Sequence, residues 1–197
     1  MLTIDTFFDS ACSVCGVPRS TDFEMGGGAE PESSKMGQYH IKDNFLAFWF
    51  RFIAPNRSFI ESGHKEIALK RIQDSLVPNH AAYVYEDICR QTIWDMIADG
   101  RLPTVYDRVG RWWSGKTAEI DVVALDTTEE KDILFGECKF HENVPVEAEV
   151  FFELKEKAKY VNWGTENRRE TYILFSVSGY TQGLQELAAQ RNDLVLA

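Results

Sequence analysis

The sequence predicts an α/β fold: a mixed sheet flanked by helices and preceded by a helical segment. Three observations carry this expectation. Apolar residues recur at a helical period up to residue 98 and at a period of two from residue 104. Three strand-like runs then follow one another before the helical pattern returns, the order of a meander leading into a βαβ crossover. Finally, 44% hydrophobic and 13% aromatic residues in a chain of 197 are enough for a buried core.

Taken in order, residues 1–35 read as a flexible tail or linker, because Gly26, Gly27 and Gly28 sit together and Pro31-Glu-Ser-Ser follows. Residues 36–79 read as a helical segment. In its first helix, 43–54, Asp43 is the N-cap and Pro55 the stop, and Phe45, Phe48, Trp49 and Phe52 form one apolar stripe. A second helix, 64–77, puts Leu69, Ile72 and Leu76 in phase before Pro78. Residues 80–197 read as the sheet domain. It opens with a helix over 80–98, with Tyr85, Ile88, Cys89, Thr92, Ile93 and Met96 along one side and Gly100 at its end. Strands follow at 104–112, with Gly110 a bulge, at 117–125 and at 133–140. Helix returns at 146–160, strand at 171–177, helix at 181–190 and strand at 193–197.

Composition excludes several functions. There is no apolar run long enough to span a membrane, and the N-terminus lacks the basic start of a secretory signal. Four irregularly spaced cysteines fit a reducing cytoplasm better than a disulfide framework, and the lone pair Cys12 and Cys15 has no partner pair for zinc. No phosphate-binding G-x-x-x-x-G-K-[ST] loop is present. The net charge of −10, most of it in residues 81–145, leaves no broad basic footprint for nucleic acid.

The chemistry concentrates on two strands. Alternation puts Glu119, Asp121 and Val123 on one face of the second strand, and Glu137 and Lys139 on one face of the third. If the hairpin pairs near Asp121, then Asp121, Glu137 and Lys139 converge. Charges inside an otherwise aliphatic sheet require pairing or a metal. Hard carboxylate oxygens suit Mg²⁺ or Mn²⁺, and a neighbouring lysine suits the orientation of a water. The competing reading is a structural ion-pair network. Arg108, Arg111 and Lys116 flank the first hairpin and are the candidate phosphate contacts, whereas Lys155 and Lys159 read as ordinary helix ion pairs.

Asp121 on one strand and Glu137-Cys138-Lys139 on the next resemble the motif of the PD-(D/E)XK, or restriction-endonuclease-like, nuclease superfamily. The αβββαβ order from residue 80 to 177 is similar too, although Ile120 stands where that motif has proline. The resemblance implies a Mg²⁺-dependent nuclease acting on DNA. Asp121 and Glu137 would hold the metal with the Cys138 carbonyl, Lys139 would orient the attacking water, and Glu86 would be the additional helix acid. A narrower resemblance rests on Tyr39-His-Ile-Lys-Asp-Asn-Phe-Leu-Ala-Phe-Trp-Phe-Arg-Phe, Gly110-Arg-Trp-Trp, Glu119-Ile-Asp-Val-Val and Gly136-Glu-Cys-Lys. These look like the domain of unknown function at the C-terminus of archaeal and bacterial AAA-type ATPases. That resemblance implies either a fragment or a stand-alone relative. The alternative function is a non-catalytic module coupling such an ATPase to DNA or to a protein. The aromatic surplus of residues 39–52 adds the expectation of a second apolar contact, with an ATPase or with a second copy as a homodimer.

Overall fold

The computed structural model describes residues 41, 43–114, 118–165 and 167–197, and the backbone alone of residues 23–26, 78 and 79. Lys116, the Cys12/Cys15 pair, Tyr39 and the glycine–proline stretch beyond Gly26 lie outside the described residues. The chain divides into two compact units, with the division between residues 80 and 81; residues 23–26 belong with the second.

The first unit is helical. Helix α1 spans Asn44–Phe48, and Asp43 caps it by accepting from the Leu46 N–H at 2.9 Å. The helix does not run on to residue 54 as an α-helix. Trp49–Ile53 form a π turn closed by the Ala54 N–H on the Trp49 carbonyl, and Ala54–Asn56 tighten into a 3₁₀ turn. Pro55 has no N–H to give and its ring crowds the preceding turn, so the last turn rewinds instead of continuing. Helix α2 spans Arg57–Glu61 and α3 spans Lys65–Leu76. Phe52 is buried, and its ring and that of Phe48 pack on His80. In α3 the buried residue is Ala68, while Leu69 of the expected stripe is exposed.

The second unit is a mixed sheet between helices. Its strands are β1 Phe23–Gly26, β2 Arg108–Ser114, β3 Ala118–Leu125, β4 Asp132–Lys139, β5 Arg169–Ser176 and β6 Leu194–Leu196. They lie side by side in chain order. The five strands from β2 onward make the expected sheet, antiparallel from β2 to β4 and parallel from β4 to β6. The short β1 adds to the β2 edge in parallel, so the stretch read as tail contributes a strand there. Helix α4 spans Ala82–Ala98, α5 Ala148–Ala158 and α6 Gln182–Ala189.

Each sheet face has its own core. Cys89, Ile93 and Met96 of α4 pack with Val109, Val122, Ala124, Leu134, Ile173 and Phe175. Ile88, expected in that stripe, is exposed. On the other face, Phe151, Leu154 and Ala158 of α5 and Leu184 of α6 pack with Ile120, Val123, Ile133, Phe135, Tyr172 and Leu174. The two faces interrupt the strict alternation of β3: Ile120 shares a core with Val123, and Val122 with Ala124. The register explains this. Gly110 pairs with Val123 and Trp112 with Ile120, so Asp121 and Val122 together oppose Arg111. The irregularity expected at Gly110 is present, but the extra residue belongs to β3. No helix among the described residues is long and apolar enough to cross a membrane.

Candidate functional site

The bulge sets Asp121 between Ile120, which packs toward α5, and Val122, which packs toward α4, next to the end of the β3–β4 ladder at Val122. On β4, Glu137 and Lys139 follow Ile133 and Phe135 by alternation on the α5 face. Glu119 does not share that face, since Ala118 and Ile120 on either side of it pack toward α5. Arg90 of α4 pins the bulge from behind by donating from Nη1 to the Asp121 main-chain carbonyl at 2.9 Å. The Cys138 N–H donates to Asp121 Oδ2 at 2.8 Å, which locks the carboxylate against β4.

Glu137 is the most buried acid of the group, its side chain 8% exposed. Gly136 leaves room for its strand: a Cβ at that position would lie 2.8 Å from Val122 Cβ and 3.0 Å from Ile173 Cγ2. Two lysines neutralise Glu137. Lys139 Nζ donates to Oε1 at 2.9 Å, and Lys157 Nζ, from the last turn of α5, donates to Oε1 at 3.1 Å and to Oε2 at 2.9 Å. Lys157 was not among the residues expected here. Its sequence signal is weak but present: it follows Leu154 by three and precedes Ala158 by one, on the shoulder of the buried α5 stripe.

The electrostatics follow from burial and crowding. Burial, then the charge of Glu137, raises the Asp121 carboxyl to about 6, against the pull of the Cys138 N–H, Lys157 and Lys139. Lys139 is partly desolvated, which disfavours its charge, yet Glu137, Asp121 and Glu153 outweigh this and raise it above its ordinary value. Glu86 of α4 is raised to about 8, chiefly by burial and then by Asp121, with Glu119 adding to the rise and Arg90 and Arg111 opposing it. Arg90 Nη1 stands 3.8 Å from Glu86 Oε2. The Cys138 thiol is pushed well up by its hydrogen bond with Cys89 and by burial. Asp121, Glu137 and Lys139 thus come together, and Glu86 stands near enough to repel Asp121. No group of three or more His, Cys, Asp or Glu side chains among the described residues converges as a metal-binding cluster, so Glu86 does not complete a three-acid set.

Of the expected phosphate contacts, Arg108 is exposed at the start of β2, and Arg111 is half-buried with its guanidinium 5.4 Å from the Trp113 ring centre. Trp112 on the other face is buried. Lys159 pairs with Glu156 at 2.6 Å, and Lys155 lies over the rings of Phe151 and Tyr172. Neither reaches the acid cluster.

Fold and site together define an α/β sheet protein with a buried acid–lysine cluster on two adjacent strands. The chain belongs to DUF234, a family described as archaeal and bacterial proteins of unknown function, which matches residues 49–159. An uncharacterized protein of Methanocaldococcus jannaschii, MJECL04, is 36% identical over 111 residues, 56% of this chain and 24% of that protein. The chain thus matches about a quarter of the length of that curated relative. No solved structure matches the chain.

Proposed function

We propose that the sheet unit is a Mg²⁺- or Mn²⁺-dependent nuclease of the PD-(D/E)XK type, hydrolysing DNA phosphodiester bonds. The observation that carries this reading is the seating of Asp121 and Glu137 on neighbouring strands, with Lys139 Nζ 2.9 Å from Glu137 and the Cys138 N–H on Asp121. The donor chemistry fits a hard divalent cation. Two desolvated carboxylates offer oxygens, and their mutual repulsion, visible in the raised Asp121, is what a cation relieves. Asp121, Glu137 and the Cys138 carbonyl would hold it. When bound, the cation would polarise a phosphoryl oxygen and acidify a water. Lys139 would orient that water and offset charge developing on the phosphate. Glu86 would act from outside as a proton acceptor, its raised affinity for a proton placing it near neutrality. Arg111, over Trp113 and close enough to act on Glu86, and Arg108 would contact the DNA backbone.

A second reading, a non-catalytic module coupling an AAA-type ATPase to DNA or to a protein, draws support from the helical unit. Phe45 is 68% exposed and Trp49 41%, on one short helical stretch. The deciding experiment combines two measurements. Millimolar Mg²⁺ or Mn²⁺ should raise the melting temperature, and Mn²⁺ should support cleavage of DNA that Lys139→Ala abolishes. A chain that gains no stability with either metal and cuts no form of DNA points to the coupling module.

A further inference from the structure

The acid cluster holds one cation more than the motif requires. Glu137 is bridged by Lys157 on both carboxylate oxygens, at 3.1 Å and 2.9 Å, while Lys139 reaches only one of them. The two lysines come from different elements, one beside Glu137 on β4 and one at the end of α5. Both lysine side chains are partly accessible, 29% and 30% exposed, around a glutamate side chain that is 8% exposed. With Asp121 and Glu137 ionised, the four side chains sum to zero charge. A divalent cation brought to the same carboxylates leaves the cluster with two positive charges in excess. A phosphodiester anion supplies part of the balance.

We propose that Lys157 is an exchangeable counter-ion. In the metal-free protein it occupies Glu137; when a divalent cation takes that carboxylate, the Lys157 ammonium is released to the DNA phosphate. This deepens the nuclease reading and rests on it. The assignment follows from geometry. Lys139 stands two residues from Glu137 on the same strand and reaches one oxygen, whereas Lys157 comes from the last turn of α5, on a separate element, spans both oxygens and keeps its side chain 30% exposed. A lysine that competes with the cation and later serves the substrate has a signature opposite to that of a structural ion pair: removing it should tighten metal binding and weaken DNA binding.

The test measures Mn²⁺ affinity by calorimetry on the full chain, for wild type, Lys157→Met and Lys157→Gln. The neutral glutamine retains a donor for Glu137 and protects the comparison against a folding defect in the methionine variant. Both variants should bind Mn²⁺ about tenfold more tightly, the scale of one lost charge-assisted contact. In Ca²⁺, with a duplex oligonucleotide as probe, both should bind DNA about three- to tenfold more weakly and with a shallower salt dependence. Wild type that binds Mn²⁺ while both variants bind it equally or less tightly overturns the exchange and leaves the nuclease reading standing. Variants that bind Mn²⁺ more tightly with DNA affinity unchanged also overturn it, because the released lysine then has no phosphate partner. Wild type that binds no divalent cation overturns the nuclease reading itself, and the inference falls with it.

Discussion

The Cys138 N–H points at Asp121 Oδ2 from 2.8 Å, so the aspartate is held by the backbone of the strand that carries its partner acid. Asp121 and Glu137 therefore differ in kind. One is fixed by a main-chain hydrogen bond and its ionisation is disfavoured by its neighbour; the other is buried and held by two lysines. Substitutions at the two should have opposite effects.

Asp121→Asn should leave the metal-free protein as stable as wild type or more so. Its carboxyl is raised from 3.8 to about 6 by burial and by Glu137. A carboxyl raised on folding is easiest to keep when protonated, so ionising it costs stability as pH climbs from the unfolded value to the folded one. The variant's advantage in melting temperature should be absent below pH 3.8, grow through that interval and level off above about 6. Its size should be at most about 6 to 12 °C, from about 1.4 kcal/mol per pH unit across that interval and about 2 to 4 °C per kcal/mol. Metal-induced stabilisation should vanish. A large loss of stability without metal would instead identify a structural ion pair.

Glu137→Gln should do the reverse. It removes the negative charge that holds Lys139 and Lys157 together and leaves two ammoniums beside a neutral amide. Chemical denaturation without metal should show a loss of about 2 kcal/mol, the cost of stripping a charged partner from a buried pair.

Glu86→Gln should be a pH-dependent stabiliser. Glu86 is raised from 4.5 to about 8, chiefly by burial and then by Asp121. Its ionisation weakens the fold as pH rises across that range. Melting curves of variant and wild type in chelator should coincide below pH 4.5 and separate progressively up to about pH 8, the variant melting higher. Curves that stay parallel from acid to alkali would mean that Glu86 ionises as an ordinary glutamate.

Gly136→Ala should disturb the site through the backbone. The added methyl would sit 2.8 Å from Val122 Cβ, an atom of a fully buried neighbour on β3 that has nowhere to go. Relief requires moving β4 away from β3, and with it Glu137 from Asp121. The expected cost is about 2 kcal/mol by denaturation, the scale of one overpacked core position. Metal-dependent stabilisation should fall further than this loss alone accounts for.

Much of the sheet unit was legible from residue order. Strand boundaries at 118–125 and 132–139 lie within a residue of those expected, because period-two runs between polar turns leave few alternatives. The placement of Asp121 on one strand and of Glu137 and Lys139 on the next also followed from residue order, while their convergence waited on where the hairpin pairs. The π turn at Trp49–Ile53 was less visible, since the Phe45–Phe52 stripe has a helical period whichever way its last turn closes.

The sequence by itself determined the α/β class, the order of the elements and the two strands on which the acids and Lys139 reside, because these depend on periodicities carried by neighbouring residues. Only the tertiary structure decided that Asp121 sits at a bulge and what pairs with Glu137. The first depends on β3 placing two residues against one of β2, a property of the pairing rather than of either strand. The second depends on Lys157, twenty residues from Glu137, arriving at the sheet because the apolar face of α5 docks there. Local pattern reads a side chain's own element; a bulge and a salt bridge between elements exist only once separate elements have packed.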